Sequence, residues 1–150
     1  MKPKIQLSIA IPTFNGAQHL KKQLEKIFKE CDKKKFQNFI EIVISDNSST
    51  DNTKQIVLSY KKKSLKNKNI IIRYYKQKKN IGFPKNFIGL PKLVNGKYIL
   101  FLNDDDLPGR GFYGQLNNLI KNNNSDSMLI APIGNSRKYY NSLFGMNKVS

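Results

Sequence analysis

The residues best suited to chemistry in this chain are three consecutive carboxylates, Asp104, Asp105 and Asp106, which come shortly after the apolar run Tyr98–Leu102. Adjacent carboxylates repel one another, and each is stabilised by a proton or a cation. Mg²⁺ and Mn²⁺ prefer oxygen ligands and commonly bridge one or two carboxylates to substrate phosphates. The triplet therefore predicts a divalent metal site, with an acidic turn before the next helix as the structural alternative.

Two further acids, Asp46 and Asp51, follow another apolar run, Ile40–Ile44. A carboxylate at the end of a strand can accept hydrogen bonds from a base edge or a ribose hydroxyl. An acid at the start of a helix can instead interact favourably with the helix dipole. The pattern favours Asp46 as a ligand-binding residue and Asp51 as a helix-start residue.

The segment Pro12–Gly16 joins the apolar run Leu7–Ile11 to a predicted helix. It offers hydroxyl and amide groups beside a helix N-terminus, an environment that suits a nucleotide or a phosphate. The same residue types also form ordinary turns, so this segment is a weak signal by itself. The chain contains no GxGxxG and no GxxxxGK[ST] sequence, which excludes the usual dinucleotide-binding and P-loop signatures.

Two reactive residue types occur once each. His19 lies on the polar face of the first predicted helix, and we expect it to be solvated rather than catalytic. Cys31 is the single cysteine, which excludes an internal disulfide and a cysteine-ligated zinc site. We expect its thiol to be inert, because it has neither a second cysteine nor a paired histidine nearby.

Short β-branched and aromatic runs, bounded by polar turn residues, predict five buried strands. These are Leu7–Ile11, Ile40–Ile44, Ile70–Tyr75, Tyr98–Leu102 and Met128–Ala131. Helical patterns fill the gaps at Ala17–Glu30, Thr50–Tyr60, Lys85–Leu93 and Tyr113–Lys121. The lysine-rich segments are expected to be charged loops, at Lys33–Lys35 and Lys61–Lys68. This alternation predicts an α/β fold, a mostly parallel sheet flanked by helices on both faces.

The polar clusters have a common position in such a fold. In open parallel sheets, ligands bind beyond the carboxyl ends of the strands. Residues 12–16, 45–51 and 103–106 all follow predicted strands. We therefore expect these three segments to converge on one binding site.

Length and composition indicate one globular domain over residues 1–150. The mass is 17.3 kDa, with 39% hydrophobic and 11% aromatic residues, too apolar for a disordered chain. No apolar run approaches the roughly 18 residues of a membrane span, and the N-terminus lacks the pattern of a secretory leader. These features predict a cytoplasmic protein.

The formal net charge of +17 comes almost entirely from lysine, since only three residues are arginine. Such a charge can mean a solvated surface, or attraction to anionic lipid headgroups, an anionic substrate or nucleic acid. Base-reading surfaces favour arginine, whose planar fork matches guanine and phosphate. Nucleic acid is therefore not expected as a partner.

Four segments, taken in order, resemble the inverting GT-A glycosyltransferases of family 2. They read SIAIPTFN at Ser8–Asn15, EIVISDNSSTDNT at Glu41–Thr53, NIGFPKN at Asn80–Asn86 and GKYILFLNDDD at Gly96–Asp106. The match spans roughly residues 5–132, and four motifs in this order are far more specific than one. The resemblance implies the GT-A architecture, the Rossmann-like fold of nucleotide-diphospho-sugar transferases.

The resemblance also implies a donor such as a UDP-sugar or dTDP-sugar. On the matching positions, Pro12, Thr13 and Asn15 would line the nucleoside pocket, and Asp46 would hydrogen-bond the base. The third segment would approach the ribose and diphosphate through Asn80, Gly82 and Asn86.

The acidic triplet falls on the family's DXD metal motif, which implies Mn²⁺ or Mg²⁺ as cofactor. Asp104 and Asp105 match this motif, with Asp105 the expected direct ligand and Asp106 close by. The family often has aspartate where this chain has Asn103, whose amide can still hydrogen-bond a ribose or a metal-bound water.

The family's catalytic base is an Asp or Glu well downstream of the metal motif, in the acceptor half. After Asp106 the only acid in this chain is Asp126, which comes too early to match. Complete family domains are longer than this chain by roughly half or more. We therefore expect the N-terminal, donor-binding portion of an enzyme with its acceptor half missing, and a base beyond residue 150.

The sequence thus predicts metal-dependent transfer of a sugar from a nucleotide-diphosphate sugar to a saccharide or lipid-linked acceptor, in surface polysaccharide or lipooligosaccharide synthesis. One alternative is a chain that binds donor and transfers nothing. A basic nucleic-acid-binding module is another, disfavoured because the acidic triplet would repel phosphates in the absence of metal. The basic surface would favour an anionic inner leaflet, which leaves peripheral membrane contact open.

Overall fold

The apolar runs of the sequence form a single parallel sheet in the computed structural model, which describes residues 4–31, 39–67, 69–122 and 129–130. The strands are β1 (Ile5–Thr13), β2 (Phe39–Asp46), β3 (Ile70–Lys76), β4 (Tyr98–Phe101) and β5 (Leu129–Ile130). Their order across the sheet is β3-β2-β1-β4-β5, and each neighbouring pair is parallel. The α/β fold predicted from the sequence is confirmed.

Helices connect successive strands, as parallel pairing requires. They are α1 (Ala17–Glu30), α2 (Thr53–Ser64), α3 (Phe83–Gly89) and α4 (Phe112–Asn122), with a short 3₁₀ helix at Leu90–Lys92 directly after α3. No helix in the described ranges is both long and apolar enough to cross a membrane.

Side chains alternate between two faces of the sheet, and helices cover both faces. Leu7, Ile9 and Ile11 of β1 belong to the larger core, which α1, α2 and α4 complete with residues such as Leu24 and Leu116. On the opposite face a smaller core forms around Ala10, Val43, Leu90 and Phe101. Since both faces of the central strands are buried, their near-continuous hydrophobic sequences are explained.

One carboxylate, Glu41, lies fully buried in β2 on the side of the smaller core. Its Oε1 accepts a hydrogen bond of 2.6 Å from the Ser8 hydroxyl and another from the Asn95 backbone N–H. Its Oε2 lies 3.1 Å from Nε of Arg73. Because buried charges need partners, this network anchors the segment before β4 to the sheet.

The helix boundaries confirm one prediction and correct the others: α2 begins at Thr53 rather than Thr50, and α4 extends one residue beyond each predicted end. The bounds of α1 are those predicted. The prediction of a charged loop over Lys61–Lys68 is wrong for its first four residues, because α2 continues to Ser64. Lysine is a good helix former, and a cation in the last turn interacts favourably with the helix dipole. The predicted helix Lys85–Leu93 divides at Gly89, because Pro91 lacks the N–H that an α-helix needs.

The loops that carry the candidate site residues leave the sheet at one edge. Thr13 and Asp46, the last residues of β1 and β2, are directly paired. Just after β4, Leu102 N–H donates to the carbonyl oxygen of Ala10 on β1. The carboxyl ends of β1, β2 and β4 therefore meet. The predicted Lys33–Lys35 loop lies outside the described residues.

Candidate functional site

A cleft of about 330 Å³ opens at this carboxyl edge of the sheet. Its lining comes from all three polar segments that were predicted to converge, together with the start of α3. The residues are Pro12, Thr13, Phe14, Asn47, Phe83, Asn86, Asn103, Asp104 and Asp105. The predicted convergence is confirmed, and the position is the one where open parallel sheets bind ligands.

The first loop closes directly on Asp104. The Thr13 hydroxyl donates a hydrogen bond of 2.5 Å to Asp104 Oδ2. A Cβ added to Gly16 would lie only 1.9 Å from the same oxygen and 2.8 Å from Thr13 Oγ1. The φ angle of Gly16, −102°, suits any residue. Glycine is therefore needed here for space rather than for backbone conformation.

Burial raises the pKa of Asp104 above its ordinary value of 3.8. Hydrogen bonds from Thr13 and from the Phe14 N–H oppose this effect, as does the nearby His19, whereas the charge of Asp105 adds to it. His19 itself is exposed, as predicted. A partly desolvated carboxylate beside a second one favours the approach of a cation.

The acidic turn, residues 103–106, is held by its own hydrogen bonds and by α1. Asp106 Oδ2 accepts a hydrogen bond of 2.9 Å from the Asn103 N–H, so this side chain closes its own turn and does not line the cleft. Nε2 of Gln23, a buried residue of α1, donates to the carbonyl oxygens of Asn103 at 2.7 Å and Asp106 at 2.8 Å. The turn is thus fastened to α1 at both of its ends.

The first and second loops interlock through Asn15. Its backbone N–H donates to Ser49 Oγ at 2.9 Å, and its Oδ1 accepts from the Thr50 N–H at 2.8 Å. Asn15 and Ser48 both have left-handed backbone conformations, with φ of 51° and 68°. Such conformations are costly for residues other than glycine and persist only where surrounding contacts hold them. Asn15 therefore joins the two loops rather than lining the cleft.

Asp51 connects the starts of two helices. Its Oδ2 accepts from the Ala17 N–H at 3.0 Å, and its Oδ1 accepts from the N–H and hydroxyl of Thr53 at 3.0 and 2.6 Å. Desolvation acts to raise the pKa of Asp51, but these hydrogen bonds outweigh it and lower the pKa below 3.8. The prediction that Asp51 is a helix-start residue is confirmed.

Asp46 is fully buried and does not line the cleft. Its Oδ1 accepts from the Ser49 N–H at 2.7 Å, and its Oδ2 accepts from the Tyr74 hydroxyl. Burial and this bond to Asp46 raise the pKa of Tyr74, which stays protonated as a donor. A contact between Asp46 and a base would require these bonds to rearrange, and its base-binding role stays a prediction.

Two asparagines shape the wall beside α3. Asn47 Nδ2 donates to Asn80 Oδ1 at 2.9 Å, and that oxygen also accepts from the Gly82 N–H at 2.8 Å. Asn86 exchanges two hydrogen bonds with Ser45, at 2.6 and 2.8 Å. Asn47 and Asn86 therefore face the cleft from positions that are held on both sides, while Asn80 and Gly82 form the turn behind them.

Comparison with known proteins identifies the family. Residues 8–144 match the model of glycosyl transferase family 2. The chain belongs to this family. Its predicted membership is confirmed.

The family-2 chain is similar to several curated glycosyltransferases. It is 35% identical to abequosyltransferase RfbV of Salmonella typhimurium over 100 residues, 67% of this chain and 28% of that protein. It is 36% identical to the GalNAc(5)-diNAcBac-PP-undecaprenol beta-1,3-glucosyltransferase of Campylobacter jejuni over 101 residues, 67% and 30% of the two chains. The poly(ribitol-phosphate) beta-N-acetylglucosaminyltransferase TarP of Staphylococcus aureus is 31% identical over 127 residues, 83% and 36%. The chain spans about a third of the length of these relatives.

Solved structures show the same fold. Staphylococcus aureus TarS 1–349 superposes with a TM-score of 0.63 at 23% identity, over 78% of this chain and 32% of that one. A mannosyltransferase from Pyrobaculum calidifontis, in complex with GDP-Man and Mn²⁺, superposes with a TM-score of 0.59 at 17% identity, over 79% and 32%. The GT-A architecture predicted for this family-2 chain is confirmed.

Few of the side chains that the structure describes in this family-2 chain are placed to ligate a divalent ion. Nowhere in the described ranges do three or more His, Cys, Asp or Glu side chains gather in a way that could hold a metal ion. Asp104 and Asp105 both face the cleft, whereas Asp106 is occupied with the Asn103 N–H. Two carboxylates fit Mg²⁺ or Mn²⁺ when substrate phosphates and water complete the coordination. The pair fits such an ion, and a triplet of ligands is not supported.

Half of the ten residues predicted for the site line the cleft, and the other half support it. Those in the lining are Pro12, Thr13, Asn86, Asp104 and Asp105. The supporting ones are Asn15, Asp46, Asn80, Gly82 and Asp106. Three residues that line the cleft were not predicted as site residues from the sequence, although each is next to a predicted site residue in the chain. They are Phe14, Asn47 and Phe83.

Proposed function

We propose that this chain is the donor-binding part of a glycosyltransferase that uses a nucleotide-diphosphate sugar, with a UDP-sugar favoured, and Mn²⁺ or Mg²⁺. One observation carries the proposal: in a family-2 chain, Asp104 and Asp105 line the same cleft as Thr13 and Asn86, at the carboxyl edge of a parallel sheet. A cleft lined by two carboxylates together with hydroxyl- and amide-bearing residues suits a metal-bound diphosphate joined to a nucleoside.

The positions within the cleft support a division of roles. Pro12 and Thr13, at the end of β1, would contact the nucleoside, and the wall that Asn47 and Asn86 form would lie beside the ribose and diphosphate. Asp105 is exposed at the cleft and would ligate the metal directly. Asp46 would reach the base only after its present hydrogen bonds rearrange.

The proposed reaction is a displacement at the anomeric carbon. An acceptor hydroxyl oxygen forms a bond to this carbon on the face opposite the nucleotide, and the carbon–oxygen bond to the diphosphate breaks. The diphosphate leaves with the bonding electron pair, and the hydroxyl proton passes to a general base. A bound divalent ion would act as a Lewis acid toward the negative charge that develops on the diphosphate.

The general base is not among the residues that line the cleft. The carboxylates in this lining are Asp104 and Asp105, the pair that would bind the metal. The downstream acid Asp126 lies outside the described residues. We propose that an Asp or Glu beyond residue 150 supplies the base, together with the acceptor site.

The acceptor is proposed to be a saccharide or a lipid-linked saccharide, in surface polysaccharide or lipooligosaccharide synthesis. The similar Campylobacter jejuni enzyme carries an undecaprenol-linked acceptor in its name. The +17 charge would favour contact with an anionic membrane surface from the cytoplasm. We therefore propose a saccharide or lipid-linked acceptor and peripheral membrane contact for this chain.

Calorimetric titration of UDP into the protein, with Mn²⁺ and with EDTA, tests the donor site. We expect micromolar binding in Mn²⁺ that weakens in EDTA, and Asp105→Ala in Mn²⁺ should bind only as weakly as the wild type does in EDTA. Glu25→Gln, which removes one charge from an exposed position of α1, serves as the control and should bind like the wild type. A folded protein that binds no UDP under either condition would overturn the proposal. Salt-dependent binding of DNA or RNA would then favour the nucleic-acid alternative.

A further inference from the structure

The buried face of α1 contains one polar residue in an unexpected place. Gln23 is fully buried, on the same face as Leu20, Leu24 and Ile27. Glutamine is seldom fully buried, because its amide must find hydrogen-bond partners in place of water. The hydrogen-bond partners of the Gln23 amide therefore indicate what this residue does.

The amide nitrogen of Gln23 bonds to the two ends of the acidic turn. Its two hydrogens go to the carbonyl oxygens of Asn103 and Asp106, at 2.7 and 2.8 Å. These residues flank Asp104 and Asp105, the two carboxylates of the cleft. Carbonyl oxygens only accept hydrogen bonds, so the nitrogen must face the turn. One side chain on a rigid helix thus holds both ends of the segment.

The amide oxygen of Gln23 has no hydrogen-bond partner within the part of the chain that the structure describes, although it is buried. An unpaired buried acceptor lowers stability. A leucine or methionine would pack in the same apolar stripe without this cost. The two bonds to the acidic turn are what distinguish glutamine from an apolar residue here.

We propose that Gln23 is a positioning residue for the metal site: it holds the acidic turn so that Asp104 and Asp105 face the cleft. This inference rests on the proposed function. Gln23 acts from behind, while Thr13 holds Asp104 from the cleft side at 2.5 Å. Gln23 does not line the cleft and would not touch the donor.

Two substitutions remove the bonds in different ways. Gln23→Met keeps the length and the apolar packing but has no donor. Gln23→Asn keeps the amide but shortens its reach by one methylene, and it serves if the methionine variant does not fold. Gln18→Met is the matched control, because Gln18 is an exposed residue of the same helix.

The first readout is the gain in UDP affinity that Mn²⁺ provides, taken as the ratio of dissociation constants in EDTA and in Mn²⁺. Loss of a residue that orients metal ligands commonly weakens metal binding by about 10–100-fold. We expect the ratio to fall by about tenfold in Gln23→Met and Gln23→Asn, with UDP binding in EDTA unchanged. A purely structural role would instead lower the melting temperature and weaken both kinds of binding.

The second readout is amide hydrogen exchange in the turn, measured without ligand. The N–H groups of Asn103 and Asp106 donate hydrogen bonds within the turn. In the Gln23 variants the turn should open locally more often, so these N–H groups should exchange about tenfold faster or more than in the wild type. Gln18→Met should match the wild type in both readouts.

The outcomes separate this inference from the proposed function. An unchanged Mn²⁺ gain in a folded Gln23 variant would overturn the inference while the donor site stands. If the wild type binds no UDP, the proposed function fails, and hydrogen exchange alone decides whether Gln23 holds the turn. Unchanged exchange at Asn103 and Asp106 would overturn the inference in that case too.

Discussion

Replacing Gly16 with alanine tests how closely the first loop packs on the acidic turn. The added Cβ would lie 1.9 Å from Asp104 Oδ2, whereas ordinary contacts begin at 3.4 Å, so the carboxylate must retreat by about 1.5 Å, the difference between them. The Cβ would also lie 2.8 Å from Thr13 Oγ1, so the hydrogen bond between Thr13 and Asp104 would be disturbed. Overpacking of this kind costs about 1–3 kcal/mol of unfolding free energy.

Displacement of Asp104 should also weaken the proposed metal-dependent binding. We expect Mn²⁺-dependent UDP affinity to fall by about tenfold or more, as for other changes that misplace metal ligands. Calorimetry gives this value, and urea denaturation gives the unfolding free energy. In an Asp104→Ala background the clashing carboxylate is absent, so Gly16→Ala should destabilise the protein by less than it does alone.

Gly114→Ala is the matched control, since a Cβ at Gly114 would meet nothing within 4 Å. Gly114 lies inside α4, where alanine should stabilise the helix by about 0.5–1 kcal/mol and leave UDP binding unchanged. If Gly16→Ala unfolds at the same urea concentration as the wild type and binds UDP equally well, the close packing of Gly16 on Asp104 is refuted.

Three further predictions concern the support of the site. Asp51→Ala should lower the unfolding free energy by about 1–2 kcal/mol at neutral pH, because two helices lose a cap. Hydrogen bonding lowers the pKa of Asp51 against the opposing effect of desolvation, so its contribution is complete above pH 3.8 and is lost as the pH falls through the lower folded-state pKa. Glu41→Gln should cost roughly 2 kcal/mol in urea denaturation, because the buried carboxylate loses its charge-assisted hydrogen bonds and its pairing with the partly exposed Arg73. Burial, with a smaller effect of Glu30, raises the pKa of the Cys31 thiol, so iodoacetamide should alkylate it at least about a hundredfold more slowly in the native protein than in urea.

Each of these has a result that would contradict it. A difference between wild type and Asp51→Ala that stays constant from neutral to strongly acidic pH would show that the carboxylate charge does not matter. For Glu41→Gln, an unfolding free energy equal to that of the wild type would mean that the pairing of Glu41 with the partly exposed Arg73 is not stabilising. Rapid alkylation of the native protein would show that Cys31 is accessible.

The secondary structure was predictable where one signal dominated. The stripe of Leu20, Leu24 and Ile27 gives α1 a clear helical period, and its predicted bounds are those observed. The end of α2 was misjudged because the lysines after Tyr60 show no apolar period. Their helical state depends on intrinsic propensity and on the turn that precedes them, neither of which hydrophobic periodicity reports.

The site was predictable as a location and less so as a set of roles. Asp104 and Asp105 follow a buried strand, and strand ends of a parallel sheet meet at one edge, so their place in the cleft followed from the pattern. Asp46 and Asp106 have the same residue type and similar positions. Their carboxylates nevertheless face backbone N–H groups of their own loops.

The sequence by itself determined the parallel α/β fold, the family and the three loops that would meet, because these depend on local periodicity and on motif order along the chain. Only the tertiary structure decided how the acidic turn is held beside the cleft, because its partners lie far away in sequence. Thr13 reaches Asp104 across 91 positions, and Gln23 reaches Asn103 across 80. Gly16 is needed for a similar reason: the space that its missing side chain leaves is filled by a residue from another loop.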